Sequence, residues 1–115
     1  MANTVNSMVP LGNTWVATVT MDTAAATAVI PTGTVVGVEK IVVGPGSATG
    51  VGLITVENAA GDELLRVWAT TVAVPTTAGK EVRSDGLTVR AATVTLTTVV
   101  TIHFRYISGT AVVAV

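Results

Sequence analysis

Apolar and polar side chains alternate along several short stretches of this chain, a pattern typical of half-buried β-strands. The alternation is most regular in residues 15–21 and residues 100–107, so we predict a strand over each. The side chains expected to face the protein interior are Trp15, Ala17, Val19, Met21, Val100, Ile102, Phe104 and Tyr106. About a third of the chain is valine and threonine, which favour strands and support this interpretation.

A β-hairpin is predicted over residues 51–58 and 63–69, with Gly61 supplying the turn conformation. A register centred on Ala60 and Gly61 gives both faces of the hairpin a consistent character. One face is apolar and buried, and the other combines Arg66 with apolar residues. The predicted opposing pairs are Val56 and Leu65, Ile54 and Val67, Thr55 and Arg66, and Leu53 and Trp68.

Further strands are expected over residues 35–43, 87–90 and 94–97, with shorter extended pieces near residues 29–30 and 81–83. Residues 44–50 and 70–80 are interpreted as connections, and Asp85-Gly86 as a turn. Seven or eight short antiparallel strands separated by turns indicate an all-β, single-domain β-sandwich of the jelly-roll or immunoglobulin-like kind. We predict an extended N-terminal arm over residues 1–14, the sandwich over residues 15–107 and an apolar C-terminal tail over residues 108–115.

Charge and composition exclude several classes of partner. The chain has 115 residues, enough for one core, with six basic and seven acidic side chains, and therefore no field that would attract a nucleic acid. Every long uncharged stretch is interrupted by glycine, proline or threonine, which argues against a membrane-spanning helix. No basic segment opens the chain, so no secretory signal is readable, and we expect that the chain is synthesised in a host cytoplasm or has already been processed. Without cysteine, disulfides and thiolate metal sites are impossible.

Candidate chemistry is sparse. His103 could in principle join Ser84 and Asp85 in a catalytic triad, but the turn signal Asp85-Gly86 already explains the aspartate. The acidic residues are scattered without the spacing of a cation-binding loop. The glycines of residues 44–52 lack the lysine and hydroxyl of a phosphate-binding loop. We therefore predict no catalytic residue, no cofactor and no metal ligand, and expect that the protein is not an enzyme.

Interaction surfaces are the more promising candidates. Tryptophan and arginine are the residue types that most often anchor interfaces, and the hairpin carries both on one face. The alternative is that this face packs under another strand or loop of the same chain. The two terminal segments are apolar and suit docking within the molecule or on a neighbour. A protein with so few charges has little electrostatic protection against self-association, so we expect it to function as part of a larger assembly. The candidate interface residues are Leu53, Arg66, Trp68, Val5, Met8, Val9, Val112, Val113 and Val115.

Three segments of the chain resemble small β-sandwich virion proteins of tailed bacteriophages, including capsid decoration, or cement, proteins. They are Gly52-Leu53-Ile54-Thr55-Val56-Glu57-Asn58-Ala59-Ala60-Gly61-Asp62-Glu63-Leu64-Leu65, Ser84-Asp85-Gly86-Leu87-Thr88-Val89 and Val100-Thr101-Ile102-His103-Phe104-Arg105-Tyr106. The resemblance rests on spacing and residue type and spans residues 35–106. Tail, neck and fibre components carry the same pattern. Residues 1–14 and 108–115 lie outside it.

The resemblance implies a structural protein on the capsid surface of a virion, bound to the major capsid protein and to sister copies as a homo-oligomer, with a trimer favoured over a dimer. It implies no catalytic residue. Another virion component, such as a tail, neck or head-fibre subunit, is the first alternative. A carbohydrate-binding or adhesin module is the second, although four aromatic residues offer little for a sugar-stacking platform.

Overall fold

The computed structural model describes residues 4–21, 26–43, 52–69, 74–91 and 98–114, and these contain seven strands and no helix. The prediction of an all-β, single-domain protein is confirmed. In chain order the strands are β1 (Thr4–Leu11), β2 (Thr14–Met21), β3 (Ala26–Val43), β4 (Gly52–Glu57), β5 (Glu63–Ala69), β6 (Val74–Ala91) and β7 (Thr98–Gly109).

All seven strands are hydrogen bonded into one antiparallel sheet of order β1-β2-β7-β3-β6-β4-β5. The sheet folds over on itself. Strands β3 and β6 have 18 residues each and would reach about 60 Å if straight, yet the molecule measures only 39 × 25 × 25 Å. A flat sheet would be thin in one direction, so the 25 Å minimum reflects two layers packed as in a sandwich.

The core fills the space between the layers with one continuous set of aliphatic side chains around Phe104. Strands β2 and β7 supply its regular part, because Ala17 lies opposite Ile102 and Val19 opposite Val100. The inward faces predicted for these two strands are confirmed except at their ends. Trp15 packs against the core while partly exposed, and Tyr106 is half-buried and donates its hydroxyl to the carbonyl of Gly109.

The hairpin prediction is confirmed in detail. All four predicted opposing pairs occur, and Ile54 and Val56 are buried in the core. The turn is shaped by Gly61, with a φ of 93°, and by Asn58. The side-chain oxygen of Asn58 accepts hydrogen bonds from the amides of Ala60 and Asp62, at 3.0 and 2.9 Å. This bridging by an asparagine side chain is a common way to stabilise a turn.

Several predicted boundaries are wrong. The part of the expected 70–80 connection that is described, residues 74–80, belongs to β6, which pairs with β3. Asp85-Gly86 is an irregularity inside β6 rather than a turn between strands. Residues 26–34 join the pieces expected at 29–30 and 35–43 into the single strand β3. Residues 4–11 are extended as expected, but they pair with β2, with one irregularity between Val5 and Ser7, and form part of the sheet instead of a separate arm. The loop expected over residues 44–50 and the strand expected over residues 94–97 lie outside the described residues.

Candidate interaction surface

An apolar groove of about 380 Å³ lies between β1, β3 and the segment that follows β7. Its walls are Val5 and Met8 of β1, residues 29–31 and Thr34 of β3, and residues 110–113 of the segment that follows β7. Met8 and Ile30 also belong to the core, being 5% and 3% exposed. At this groove the interior of the sandwich therefore reaches the surface.

Hydrogen bonds hold the C-terminal wall of the groove against β3. The amide of Thr110 donates to the carbonyl of Gly33 at 3.0 Å, and the buried hydroxyl of Thr34 donates to the carbonyl of Thr110 at 2.9 Å. Gly33 is itself fixed, because its amide donates to the Asp85 carboxylate at 2.9 Å. The apolar residues 111–113 thus leave β7 in a defined direction, along the mouth of the groove.

Exposed apolar side chains accompany the groove. Among the residues that the structure describes, the large hydrophobic side chains that are exposed are Val9, Leu11 and Val113, at 45%, 64% and 73%. Val9 and Leu11 lie on the outer face of β1, and Val113 stands at the rim of the groove. Residues 1–21 and 107–115 contain no ionisable side chain. These segments therefore add no ionisable side chain to the surface around the groove.

The structure brings together four of the nine candidate interface residues. Val5, Met8, Val112 and Val113 all line the groove, although Met8 is buried and Val5 and Val112 are partly buried against the core. Val9 is exposed nearby on the opposite face of β1. Val115 lies outside the described residues, and Leu53 and Trp68 are described only as backbone partners in the hairpin.

Arg66, the remaining candidate, lies on β5 at the other edge of the sheet and is exposed. Its guanidinium binds the Glu63 carboxylate through two hydrogen bonds of 2.9 and 2.8 Å. The hydrogen bond from Arg66 lowers the pKa of Glu63. A partner that uses Arg66 as an anchor has to share or displace Glu63, and this candidate interface is separate from the groove.

Of the residues considered for a catalytic triad, Ser84 and His103 lie on opposite faces of the sheet. Ser84 is buried on the inner face, where its hydroxyl donates to the carbonyl of Gly86. Asp85 accepts from the Gly33 amide. His103 lies between the core residues Ile102 and Phe104 on β7, so it points to the outer face of the sheet. Within the described residues, no group of three or more histidine, aspartate or glutamate side chains could hold a metal ion.

Three residues that line the groove or lie beside it were not among the candidate interface residues predicted from the sequence. Leu11 could have been predicted from the sequence, because it is an apolar residue beside the turn at Gly12, a position where side chains are commonly exposed. Pro31 and Thr34 could not be found, because their role depends on the long-range approach of residues 110–113 to β3.

Comparison of the chain with models of protein families, with curated proteins and with solved structures finds no match. Across the described ranges, no helix is present that is long and apolar enough to cross a membrane.

Proposed function

We propose that this protein is a structural subunit of a tailed-bacteriophage virion, a capsid decoration protein that binds the outside of the shell and stabilises the junctions between capsomers. One observation carries the proposal. The large hydrophobic side chains that are exposed among the described residues all lie on the two terminal segments, and they are Val9, Leu11 and Val113. The resemblance of residues 35–106 to this class of virion protein supports it.

The chemistry of this surface suits a permanent assembly better than a soluble substrate. Aliphatic side chains release free energy when they leave water, by about 25 cal/mol for each Å² buried. Such contacts need no directional partner and tolerate small differences between neighbouring capsomers. Each contact can be modest, because repetition over many sites on one shell strengthens the particle as a whole.

Val9 and Leu11 are the side chains proposed to meet the major capsid protein. Both lie on the outer face of β1, and β1 is an edge strand whose far side has no neighbour among the described strands. Substitutions of Val9 or Leu11 test binding directly, because changes to exposed side chains rarely disturb the core and a loss of binding would not result from unfolding.

The test measures binding to empty shells assembled from the major capsid protein of the same phage. Shells are pelleted with increasing amounts of the full chain, and bound protein is quantified. We expect Leu11→Asp to weaken binding at least about tenfold, as is typical for an apolar contact replaced by a charge. The matched control is Ala26→Asp, which introduces the same charge at an exposed strand position outside the groove.

Failure of the unmodified protein to bind shells contradicts the proposal, as does equal binding by Leu11→Asp. Localisation in intact particles separates the alternatives. Antibody-labelled protein over the whole capsid supports decoration, whereas label confined to a ring or a fibre assigns the protein to the neck, tail or head fibre. Binding to a glycan array by the isolated protein would instead indicate an adhesin module.

A further inference from the structure

The core has its weakest cover beside the C-terminal segment. Of the buried hydrophobic residues that the structure describes, three are more than 1% exposed, and all three line the groove. They are Met8, Val29 and Ile30, at 5%, 8% and 3%. The wall of the groove next to them is formed by residues 110–113. We call residues 110–114 the strap, and its position decides how much of this part of the core meets water.

Few contacts hold the strap in place. Thr110 is bonded to the carbonyl of Gly33 and to the hydroxyl of Thr34. Among the described residues, no hydrogen bond holds residues 111–114, and Val112 is the strap side chain that packs against the core. Segments with few buried contacts and few hydrogen bonds open locally, at a much lower free energy than global unfolding.

The hydrogen bonds at the root of the strap lead back to Asp85. Its carboxylate accepts from the Gly33 amide at 2.9 Å, and the Gly33 carbonyl accepts from the Thr110 amide at 3.0 Å. The backbone carbonyl of Asp85 accepts from the amide of Ala59, in the hairpin turn, at 2.8 Å. Asp85 is thus fixed by the hairpin, while its side chain fixes the residue to which the strap is attached. Hydrogen bonds to a charged acceptor are stronger than neutral ones.

We propose that the strap is a cover that opens and closes over the groove, and that Asp85 is the positioning residue that keeps it closed. When the strap is open, it uncovers the aliphatic surface of Met8, Val29 and Ile30, which the closed protein conceals. The inference is independent of the proposed function, because Val9 and Leu11 are exposed while the strap is closed.

Amide hydrogen exchange of the full chain, followed by NMR at increasing urea concentrations below the unfolding transition, tests the opening. We expect the Thr110 amide to exchange by a local opening, with little dependence on urea. The amides of β2 and β7 should exchange only through global unfolding, with a strong dependence on urea. If Thr110 exchanges at the same rate and with the same urea dependence as β2 and β7, the strap is a fixed wall and the inference is overturned.

The role of Asp85 is tested by two variants. Asp85→Ala removes the acceptor of the Gly33 amide, and we expect the exchange rate of Thr110 to rise at least about tenfold, as is typical for loss of a charged hydrogen bond. Asp85→Asn keeps a side-chain oxygen that can accept from the Gly33 amide, so the rise should be much smaller. In Asp85→Ala the rise at Thr110 should also exceed the rise in β2 and β7. An equal rise at all these amides, or none at Thr110, overturns the inference.

The concealed surface is tested with the dye ANS, which binds exposed hydrophobic surface. Val112→Asp removes the side chain that packs the strap against the core, whereas Val113→Asp places the same charge at a neighbouring position that is already 73% exposed. We expect Val112→Asp to raise ANS fluorescence at least about threefold and Val113→Asp to leave it unchanged.

Deletion of residues 111–115 should raise the ANS fluorescence as well, without adding a charge. Slow amide exchange in β2 and β7 confirms that each variant is folded. Unchanged fluorescence in both Val112→Asp and the deletion, or an equal rise in Val112→Asp and Val113→Asp, contradicts a strap that conceals the core. Binding to capsid shells does not enter any of these measurements, so the inference and the proposed function fail separately.

Discussion

Glu81 of β6 and Arg105 of β7 form an ion pair across strand β3, which lies between their two strands. The Arg105 Nε and Nη2 atoms donate to the two Glu81 carboxylate oxygens at 2.8 and 2.7 Å. Strands β6 and β7 are two strand spacings apart, about 10 Å, so the side chains must pass over β3. They do so above Gly37, where a Cβ atom would lie only 2.1 Å from Glu81 Cδ.

This ion pair makes part of the stability depend on pH. The hydrogen bond from Arg105 lowers the pKa of Glu81 below its usual 4.5 in the folded protein. A lowered folded-state pKa contributes stability above the unfolded-state pKa, and that contribution is lost as the pH falls through the folded-state value. We expect Arg105→Gln to be less stable than the unmodified protein at pH 7, with the difference shrinking below pH 4.5. Urea unfolding at a series of pH values measures it, and a difference that grows in acid would contradict the assignment.

Gly37 is the residue that permits this contact. In Gly37→Ala the new Cβ occupies the path of the Glu81 side chain, which is flexible and can turn away into solvent. We therefore expect the variant to fold, with the pKa of Glu81 rising towards its ordinary value. NMR titration of the Glu81 carboxyl carbon is the measurement, and Arg105→Gln should give a similar rise. An unchanged Glu81 titration in Gly37→Ala would show that the pair does not need the glycine.

Gly86 and Gly12 offer a matched pair of substitutions. Both have positive φ, 74° and 64°, so alanine is strained at either position by about 1–2 kcal/mol. Only Gly86 is crowded, since a Cβ there would lie 2.8 Å from the Ala59 Cβ atom and 3.0 Å from the Ile30 carbonyl oxygen. Gly12 has open space.

We expect Gly86→Ala to destabilise the fold by about 1–3 kcal/mol more than Gly12→Ala, because it combines backbone strain with overpacking. Equilibrium unfolding in urea compares the two variants. Equal losses would indicate that the hairpin turn moves away from β6 without cost.

Phe104 tests the centre of the core. It is fully buried and lies opposite Trp15 on β2 and Val38 on β3. Truncation of a buried phenylalanine leaves a cavity, and we expect Phe104→Ala to cost about 3–5 kcal/mol in the free energy of unfolding. Val113→Ala, at an exposed position, is the control and should change stability little. A loss below about 1 kcal/mol in Phe104→Ala would show that the layers close over the cavity.

The sequence predicted those parts of the fold that depend on neighbouring residues. The register of the hairpin could be predicted because its turn is local and both of its faces have a consistent character. Strands β2 and β7 could be predicted because apolar and polar residues alternate along them without interruption. The first part of strand β6, residues 74–80, could not be recognised, because polar residues such as Thr76 and Thr77 are held by pairing with β3, far away in the chain. Candidate interface residues could be selected for apolar character, but the groove that gathers four of them depends on tertiary contacts. If residues 1–14 were a separate arm, deletion of residues 1–12 would leave a folded domain. In the structure this deletion removes the core residue Met8 and the whole of strand β1, so we expect it to destabilise the fold.

Strand β3 shows most clearly where alternation misleads. Val36 and Val38 face the core, so regular alternation would turn Lys40 inward and Ile41 outward. Instead the register shifts between Val38 and Lys40, with Val38 opposite Phe104 and Lys40 opposite His103. Glu39 is the extra residue, exposed to solvent. This β-bulge restores the inward direction of Ile41 and Val43, both fully buried.

Deletion of Glu39 should therefore be tolerated. Removing it makes the alternation regular, so Val38, Ile41 and Val43 all still face the core, and we expect a loss of no more than about 2 kcal/mol. Deletion of Val42 is the control, because it shifts the parity and turns Val43 out of the core. Urea unfolding should show a cooperative transition for the first variant and a much weaker or absent one for the second. If the Glu39 deletion unfolds the protein and the Val42 deletion does not, the bulge holds β6 in place instead of setting the direction of the β3 side chains.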